Sequence, residues 1–253
     1  MMNKKSGILI CLLCVWGAIL LLTNSCNKND TSSPPSPEPI TDIDGNVYHS
    51  VQIGTQIWMT ENLKTTRFKD GTHIPNITDT AEWAGLTTPG FCWYNNNATS
   101  NKPLYGALYN WYTVNTGKLA PIGWHVPTNA EWIILEDHLL AAGYNYDNTI
   151  TDNKYAKALA SKSGWTSSTN VGAVGNFDFP AKRNASGFTA LPGGYHKDVG
   201  GFSQVGNGGY WWSSSANFEN YAFGRGIIYD YCLFFRYSYS MNYGFSVRCI
   251  KNN

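Results

Sequence analysis

The most regular pattern of apolar and polar positions lies in residues 123–140, which read GWHVPTNAEWIILEDHLL. Apolar side chains recur at helical spacing from Trp132 to Leu139, and acidic side chains fall between them. Thr128 precedes Glu131 by three residues, which is the spacing of a capping box at a helix N-terminus. The pattern therefore predicts an amphipathic helix that begins at this cap and packs its apolar side on a sheet.

Shorter patterns predict the elements that surround this helix. Residues 42–63 contain two β-prone runs on either side of Gly54-Thr55, which predicts a hairpin. Asp79 is placed to cap a short helix over residues 80–85. Residues 105–114 and 153–161 have helical spacing of their apolar positions and predict two further helices.

The character of the chain changes at Gly187. From there on, short aromatic and β-branched runs alternate with Gly and Asn, a pattern typical of short strands joined by turns. Because helices and strands are segregated along the chain instead of alternating, we predict an α+β fold and not an α/β fold.

The N-terminus predicts export and a lipid anchor. Lys4 and Lys5 precede an apolar run over residues 7–22, and Cys26 follows at the position of a lipoprotein cleavage site. The alternative is an uncleaved membrane anchor, but the run is short of the about 20 residues that span a bilayer. We therefore predict three parts: a signal peptide over residues 1–25, a Pro/Ser-rich tether over residues 26–39 and one domain over residues 40–253.

Composition limits the classes of partner. The chain has 18 Lys and Arg against 17 Asp and Glu, with no block of like charge in the domain, which argues against nucleic acid as the main partner. Aromatic residues make up 15% of the chain and exceed the charged residues at 14%. Such a chain either buries many rings or displays some of them for binding.

Several blocks of the sequence together resemble the Fibrobacter succinogenes major paralogous domain family. They read IGTQIWMTENL, YGALYNWYTV, GKLAPIGWHVPTNAEW, SGFTALPGGY, GYWWSSS and YGFSVRCIK, and they follow one another in the family's order. The family consists of many bacterial paralogues, often lipoproteins, and has no established biochemical activity. The resemblance thus implies a cell-envelope lipoprotein, at the outer membrane or cell surface.

The blocks HVPTNAEW, WWSSS and FSVRCI also resemble, more distantly, segments of formylglycine-generating-enzyme-like domains. This likeness implies the C-type-lectin-like superfold, in which terminal strands pair, two main helices flank small antiparallel sheets and long ordered loops carry function. It also implies an alternative function, an enzyme that acts on a peptide or cell-surface substrate through a cysteine such as Cys232. The apolar run YCLFF around this cysteine is, however, typical of an inert buried thiol.

Three cysteines remain in the domain, Cys92, Cys232 and Cys249. Ala120 stands where many members of the family have a cysteine, which would be the partner of Cys249. The resemblance leaves Cys249 to pair with Cys92 or Cys232 or to stay buried as a small apolar side chain, and we favour a Cys92–Cys249 disulfide. No Cys/His spacing predicts a zinc site.

The remaining candidate chemistry is weak. The histidines are scattered and indicate no catalytic constellation, so we do not expect an enzyme. Asp147 and Asp152 lie in one predicted loop without the spacing of an EF-hand, and the triplets with which C-type lectins hold sugar through calcium are absent. We expect no cofactor, although a structural calcium ion in a loop stays an open alternative.

Exposed aromatic rings are the best candidates for ligand binding. Tyr210, Trp211 and Trp212 form one run in a predicted strand, and Tyr195 lies in a strand before it. Adjacent residues of a strand point to opposite faces, so we expect at most one tryptophan in the core and the other to face outward or lie under a loop. The alternative is that both tryptophans are covered and neither binds a ligand. The sequence therefore predicts a non-catalytic surface binding or adhesion module for a polysaccharide, another glycan or a protein.

Overall fold

The computed structural model describes residues 39–252. The helices are α1 (Thr80–Ala84), α2 (Ala98–Tyr105), α3 (Trp111–Asn115), α4 (Asn129–Ala141) and α5 (Ala156–Leu159). The strands are β1 (Ile40–Thr41), β2 (Val47–Tyr48), β3 (Ser50–Ile53), β4 (Gln56–Met59), β5 (Phe91–Cys92), β6 (Leu108–Tyr109), β7 (Trp124–His125), β8 (Gly193–His196), β9 (Phe202–Val205), β10 (Gly208–Phe218), β11 (Tyr221–Ile228), β12 (Phe234–Ser240) and β13 (Ile250–Lys251). The predicted α+β class is confirmed.

The helix predicted from the capping box is confirmed as α4. The backbone N–H of Glu131 donates to Thr128 Oγ1 at 3.2 Å, and the N–H of Thr128 donates to Glu131 Oε2 at 2.8 Å. Trp132, Leu135 and Leu139 are buried, so the apolar side of this helix packs into the core as its periodicity predicts.

Two larger sheets and two short strand pairs make up the β structure. The five-stranded sheet has the order β12-β11-β10-β8-β9, and the four-stranded sheet has the order β3-β4-β13-β7. The predicted hairpin is confirmed as β3 and β4, which turn at Gly54. The last strand, β13, lies between β4 and β7, so it pairs with a strand from the early part of the described residues.

Strand β10 separates two hydrophobic clusters. Trp211 packs with Phe188 in the cluster that contains α4, and their ring centroids lie 6.1 Å apart. Trp212 points to the opposite face and packs on Phe245 at 4.5 Å in the other cluster. Both tryptophans are fully buried. The expectation that at most one of them lies in the core is therefore wrong, and the alternative that both are covered is confirmed, because each face of β10 is covered by a core.

A buried polar network joins β10 to the four-stranded sheet. Asn62 Oδ1 accepts from Trp211 Nε1 at 2.9 Å and from Arg248 Nη2 at 2.8 Å. Asn62 Nδ2 donates to the Tyr105 carbonyl and to Ser246 Oγ. Arg248 is fully buried and donates its other bonds to carbonyl oxygens. Burial lowers the pKa of Arg248 to about 9, so it stays charged at neutral pH.

Two other predictions differ from the structure. The helix predicted over residues 105–114 is interrupted, because Gly106 adopts a positive φ and a short strand follows, and Asn110 then caps the new helix α3. The Cys92–Cys249 disulfide is also wrong. Cys92, Cys232 and Cys249 are all free thiols, and Cys92 and Cys249 pack as small apolar side chains in different clusters.

The predicted signal peptide, Cys26 and residues 27–38 of the tether lie outside the described residues. Within residues 39–252, none of the helices has the length and apolar character needed to cross a bilayer.

Replacing Asn62 tests the buried network. Asn62→Leu leaves Trp211 Nε1 and Arg248 Nη2 as buried donors without that acceptor, so we expect a loss of about 3 kcal/mol in the free energy of unfolding. Ser246→Ala removes only one acceptor of the same network and serves as the matched control, with an expected loss of about 1 kcal/mol. Urea unfolding followed by tryptophan fluorescence measures both; equal losses would contradict the central role of Asn62.

Candidate functional site: an aromatic groove on the five-stranded sheet

The register of β10, β11 and β12 builds a groove with rings on both sides. Tyr210 lies opposite Gly226, and Gly226 lies opposite Phe235 on the edge strand. Residues directly opposite each other in an antiparallel pair point to the same face. The middle strand thus contributes a glycine where its neighbours contribute rings, which leaves a trough between two rows of aromatic side chains.

The same pattern repeats two residues further along the strands. Trp212 lies opposite Gly224, which lies opposite Tyr237. At Gly226 an added Cβ would be 3.2 Å from Tyr210 Cδ1, so a side chain there would crowd the ring and fill the trough. Gly226 therefore keeps the groove open, whereas Gly224 is covered by the rings of Tyr239 and Phe245.

The groove has a volume of about 150 Å³. This is below the usual range for drug-sized ligands and suits one ring-sized group. It is lined by Tyr195, Tyr210, Gly226, Ile228, Phe235, Tyr237, Tyr239, Tyr243 and Phe245.

The rings differ in depth, which gives the groove a floor and a rim. Tyr210 is buried and lies 4.9 Å from Tyr195 between ring centroids, in an edge-to-face contact. On the edge strand, Phe235 and Tyr237 are near-parallel at 5.9 Å, and 57% of Tyr237 is exposed. Tyr237 is therefore the groove ring that a ligand meets first.

The phenol groups of Tyr210 and Tyr239 are held in the neutral form. Burial, with the neighbouring Tyr195 and Tyr243, raises the pKa of Tyr210 to about 12. Burial raises the pKa of Tyr239 as well. A tyrosine hydroxyl group can donate and accept hydrogen bonds, so both residues offer polar contacts as well as apolar ones to a ligand.

The structure brings together two of the four aromatic residues that the sequence analysis proposed. Tyr195 and Tyr210 line the groove, whereas Trp211 and Trp212 lie in the cores beneath and behind it. Sequence reasoning missed Phe235, Tyr237 and Tyr239. The segment FFRYSYS carries a ring at every second position from Phe235 to Tyr239, and this alternation indicates that the three rings share one face of a strand. The strand that lies beside them is known only from the register of the sheet.

Comparison with known protein families shows to which family the chain belongs. Residues 51–251 match the Fibrobacter succinogenes major domain. The chain belongs to this family. Comparison with curated proteins and with solved structures gives no match. All the residues that line the groove fall within the matched segment of the family domain.

In this Fibrobacter succinogenes major domain, lysine ammonium groups lie beside the carboxylates of two loops. The first loop contains Asp147 and Asp152, and the second contains Asp178. Lys154 Nζ lies 3.0 Å from Asp147 Oδ2 and 3.3 Å from Asp152 Oδ2. Within residues 39–252, no three His, Cys, Asp or Glu side chains converge as a metal site requires. The two carboxylates that the sequence analysis considered for calcium are thus already paired with a cation.

Lys157 is buried beneath the second loop and binds its oxygen atoms. Its side chain is 1% exposed, and Nζ donates to the carbonyl oxygens of Asn176 and Asp178 at 2.9 and 2.7 Å and to the Asp178 carboxylate. Burial lowers the pKa of Lys157, while Asp178 opposes this shift. Carbonyl and carboxylate oxygens around one cation are the arrangement that Ca²⁺ sites use, and here the protein supplies the cation itself.

The pKa values of the three thiols are shifted in the direction opposite to that of nucleophilic cysteines. Burial raises the pKa of Cys249, Cys92 and Cys232 alike. A reactive cysteine has a lowered pKa because the thiolate is the nucleophile.

Replacing Lys157 tests its role in the second loop. Lys157→Met retains the length of the side chain but leaves the oxygens of Asn176 and Asp178 without their donor, so we expect a loss of about 2 kcal/mol in the free energy of unfolding. Lys162→Met, at an exposed position five residues along, is the matched control and should change stability by less than about 0.5 kcal/mol. Thermal unfolding of the two variants measures the difference; similar midpoints would contradict this role.

Proposed function

We propose that this chain is a cell-envelope lipoprotein whose domain binds glycans without catalysis. The observation that carries the proposal is the groove on the five-stranded sheet, with rings on both sides, a glycine between them and tyrosine hydroxyl groups on its lining. The family occurs in many bacterial lipoproteins, which agrees with display of the groove outside the cell.

The chemistry of the groove suits a sugar. One face of a pyranose ring carries mainly C–H groups and packs on aromatic rings, while its edges carry hydroxyl groups that need hydrogen-bond partners. Tyrosine offers both contacts, since its body is apolar and its hydroxyl group donates and accepts. Tyr237 at the rim and Tyr210 at the floor would contact different parts of one sugar unit.

Two features support binding without calcium and without catalysis. Lys154 pairs with Asp147 and Asp152, so binding through a metal in this loop would require the ammonium group to leave. The raised pKa of Cys232 disfavours the thiolate that an enzyme of the formylglycine-generating type would need. We therefore favour a binding module over an enzyme that acts on a peptide.

We also infer that the domain has the C-type-lectin-like fold. The pairing of β13 with β4, in which Ile250 lies opposite Trp58, supports this, because that superfold joins its terminal strands. Helix α4, packed on the sheet, and the long loops of residues 142–192 agree with the same architecture.

Replacing Tyr237 tests glycan binding in the groove. Tyr237→Ala removes the most exposed groove ring, so we expect about tenfold weaker binding to any polysaccharide that the protein retains. Phe218→Ala is the matched control, because Phe218 belongs to the same sheet, has the same exposed fraction of 57% and lies outside the groove. Affinity electrophoresis against a polysaccharide panel measures both; equal losses, or no loss for Tyr237→Ala, would contradict the proposal.

Replacing Cys26 tests the lipid anchor. Cys26→Ala removes the residue that would be acylated, so we expect the protein to leave the membrane fraction. Cell fractionation with immunoblotting measures the distribution. Unchanged membrane association would indicate that the apolar segment itself is the anchor, and Cys92→Ala, at a buried position, controls for loss of any cysteine.

A further inference from the structure

The aromatic groove contains no charged side chain. All nine residues that line it are tyrosine, phenylalanine, isoleucine or glycine. The two arginines of the neighbouring strands point away from it, because Arg225 and Arg236 lie opposite each other and opposite Trp211, on the other face of the sheet. Strand alternation thus separates the cations of this sheet from the groove.

Arg225 is, in addition, already paired. It is fully buried, and its Nε donates to Glu136 Oε1 of α4 at 2.5 Å while Nη2 donates to Asn129 Oδ1. Movement of this arginine towards the groove would break both bonds. Neither arginine is therefore placed to contact a ligand in the groove.

The surroundings of two groove phenols also disfavour a negative charge. The pKa of Tyr210 is raised by burial and by neighbouring phenols, which means that an anion at this position lacks stabilisation. Burial, together with the carboxylate of Asp198, raises the pKa of Tyr243 as well. A carboxylate or sulfate on a ligand would lose its hydration here and gain no cation in return.

We propose that the groove selects uncharged sugar units and rejects sugars that carry a carboxylate or sulfate group. The selection rests on the proposed function, and it names the class of glycan: neutral hexose polymers, as opposed to uronic acid or sulfated polymers. The glycine floor at Gly226 admits the flat apolar face of one unit, and the phenol groups bond its hydroxyls.

Matched pairs of polysaccharides test the selection. The purified full-length chain is run against a neutral glucan, mannan and galactan, each beside its own carboxymethylated derivative of the same chain length. We expect at least one neutral polymer to bind and its carboxymethylated form to bind at least about tenfold more weakly. The ratio should persist at high salt, because it arises from lost hydration and not from long-range repulsion.

A charge-introducing variant tests the physical cause. Ile228→Lys places a cation on the lining of the groove, so it should strengthen binding of the carboxymethylated form and weaken binding of the neutral one. Val171→Lys adds the same charge at an exposed site outside the groove and controls for general attraction of anionic polymers. Circular dichroism confirms that each variant is folded.

The outcomes separate the selection from the function on which it rests. If carboxymethylated polymers bind as well as neutral ones or better, and Tyr237→Ala abolishes that binding, the selection is wrong and the groove still binds glycans. If no polymer binds, or if Tyr237→Ala leaves binding unchanged, the proposed function fails and the selection fails with it. Equal gains for Ile228→Lys and Val171→Lys would overturn the role of the groove lining.

Discussion

Strand β10 must bury a large ring on each of its faces, and the rest of the domain is built around this requirement. Trp211 and Trp212 are adjacent, so two separate cores have to cover the sheet from opposite sides. Each indole N–H then needs a buried acceptor, which Asn62 Oδ1 provides for Trp211 and the Tyr109 carbonyl provides for Trp212. These two bonds fix the five-stranded sheet against segments from the first half of the chain.

The groove is a consequence of this arrangement. Because Trp212 and Tyr210 occupy one face of β10, the facing positions of β11 must be small, and they are Gly224 and Gly226. The rings of the edge strand β12 therefore remain partly exposed across a trough. An edge strand with exposed rings can pair with another chain and aggregate. Arg236 is an exposed charge on the same strand, and charges on edge strands oppose such pairing.

The parts of the fold that sequence predicted are those that local chemistry determines. The capping box at Thr128 and Glu131 involves four consecutive residues, and the hairpin at Gly54 involves one turn. Alternation correctly placed Trp211 and Trp212 on opposite faces, but it does not tell whether both faces are covered. The groove needs three strands in register, and the pairing of Lys157 with Asp178 joins helix α5 to a loop about twenty residues further along the chain. Neither is encoded in a local pattern.

A neutral sugar bound between the rings of β10 and β12 would change the magnetic environment of the groove tyrosines. Aromatic ¹³C–¹H NMR spectra of the full-length chain, recorded while a neutral oligosaccharide that it retains is added, report on this binding residue by residue. We expect the shifts of Tyr195, Tyr210, Tyr237, Tyr239 and Tyr243 to move together along one binding curve, while those of the exposed Phe177 and Phe218 stay fixed. Movement at Phe177 or Phe218 with unchanged groove resonances would contradict binding in the groove.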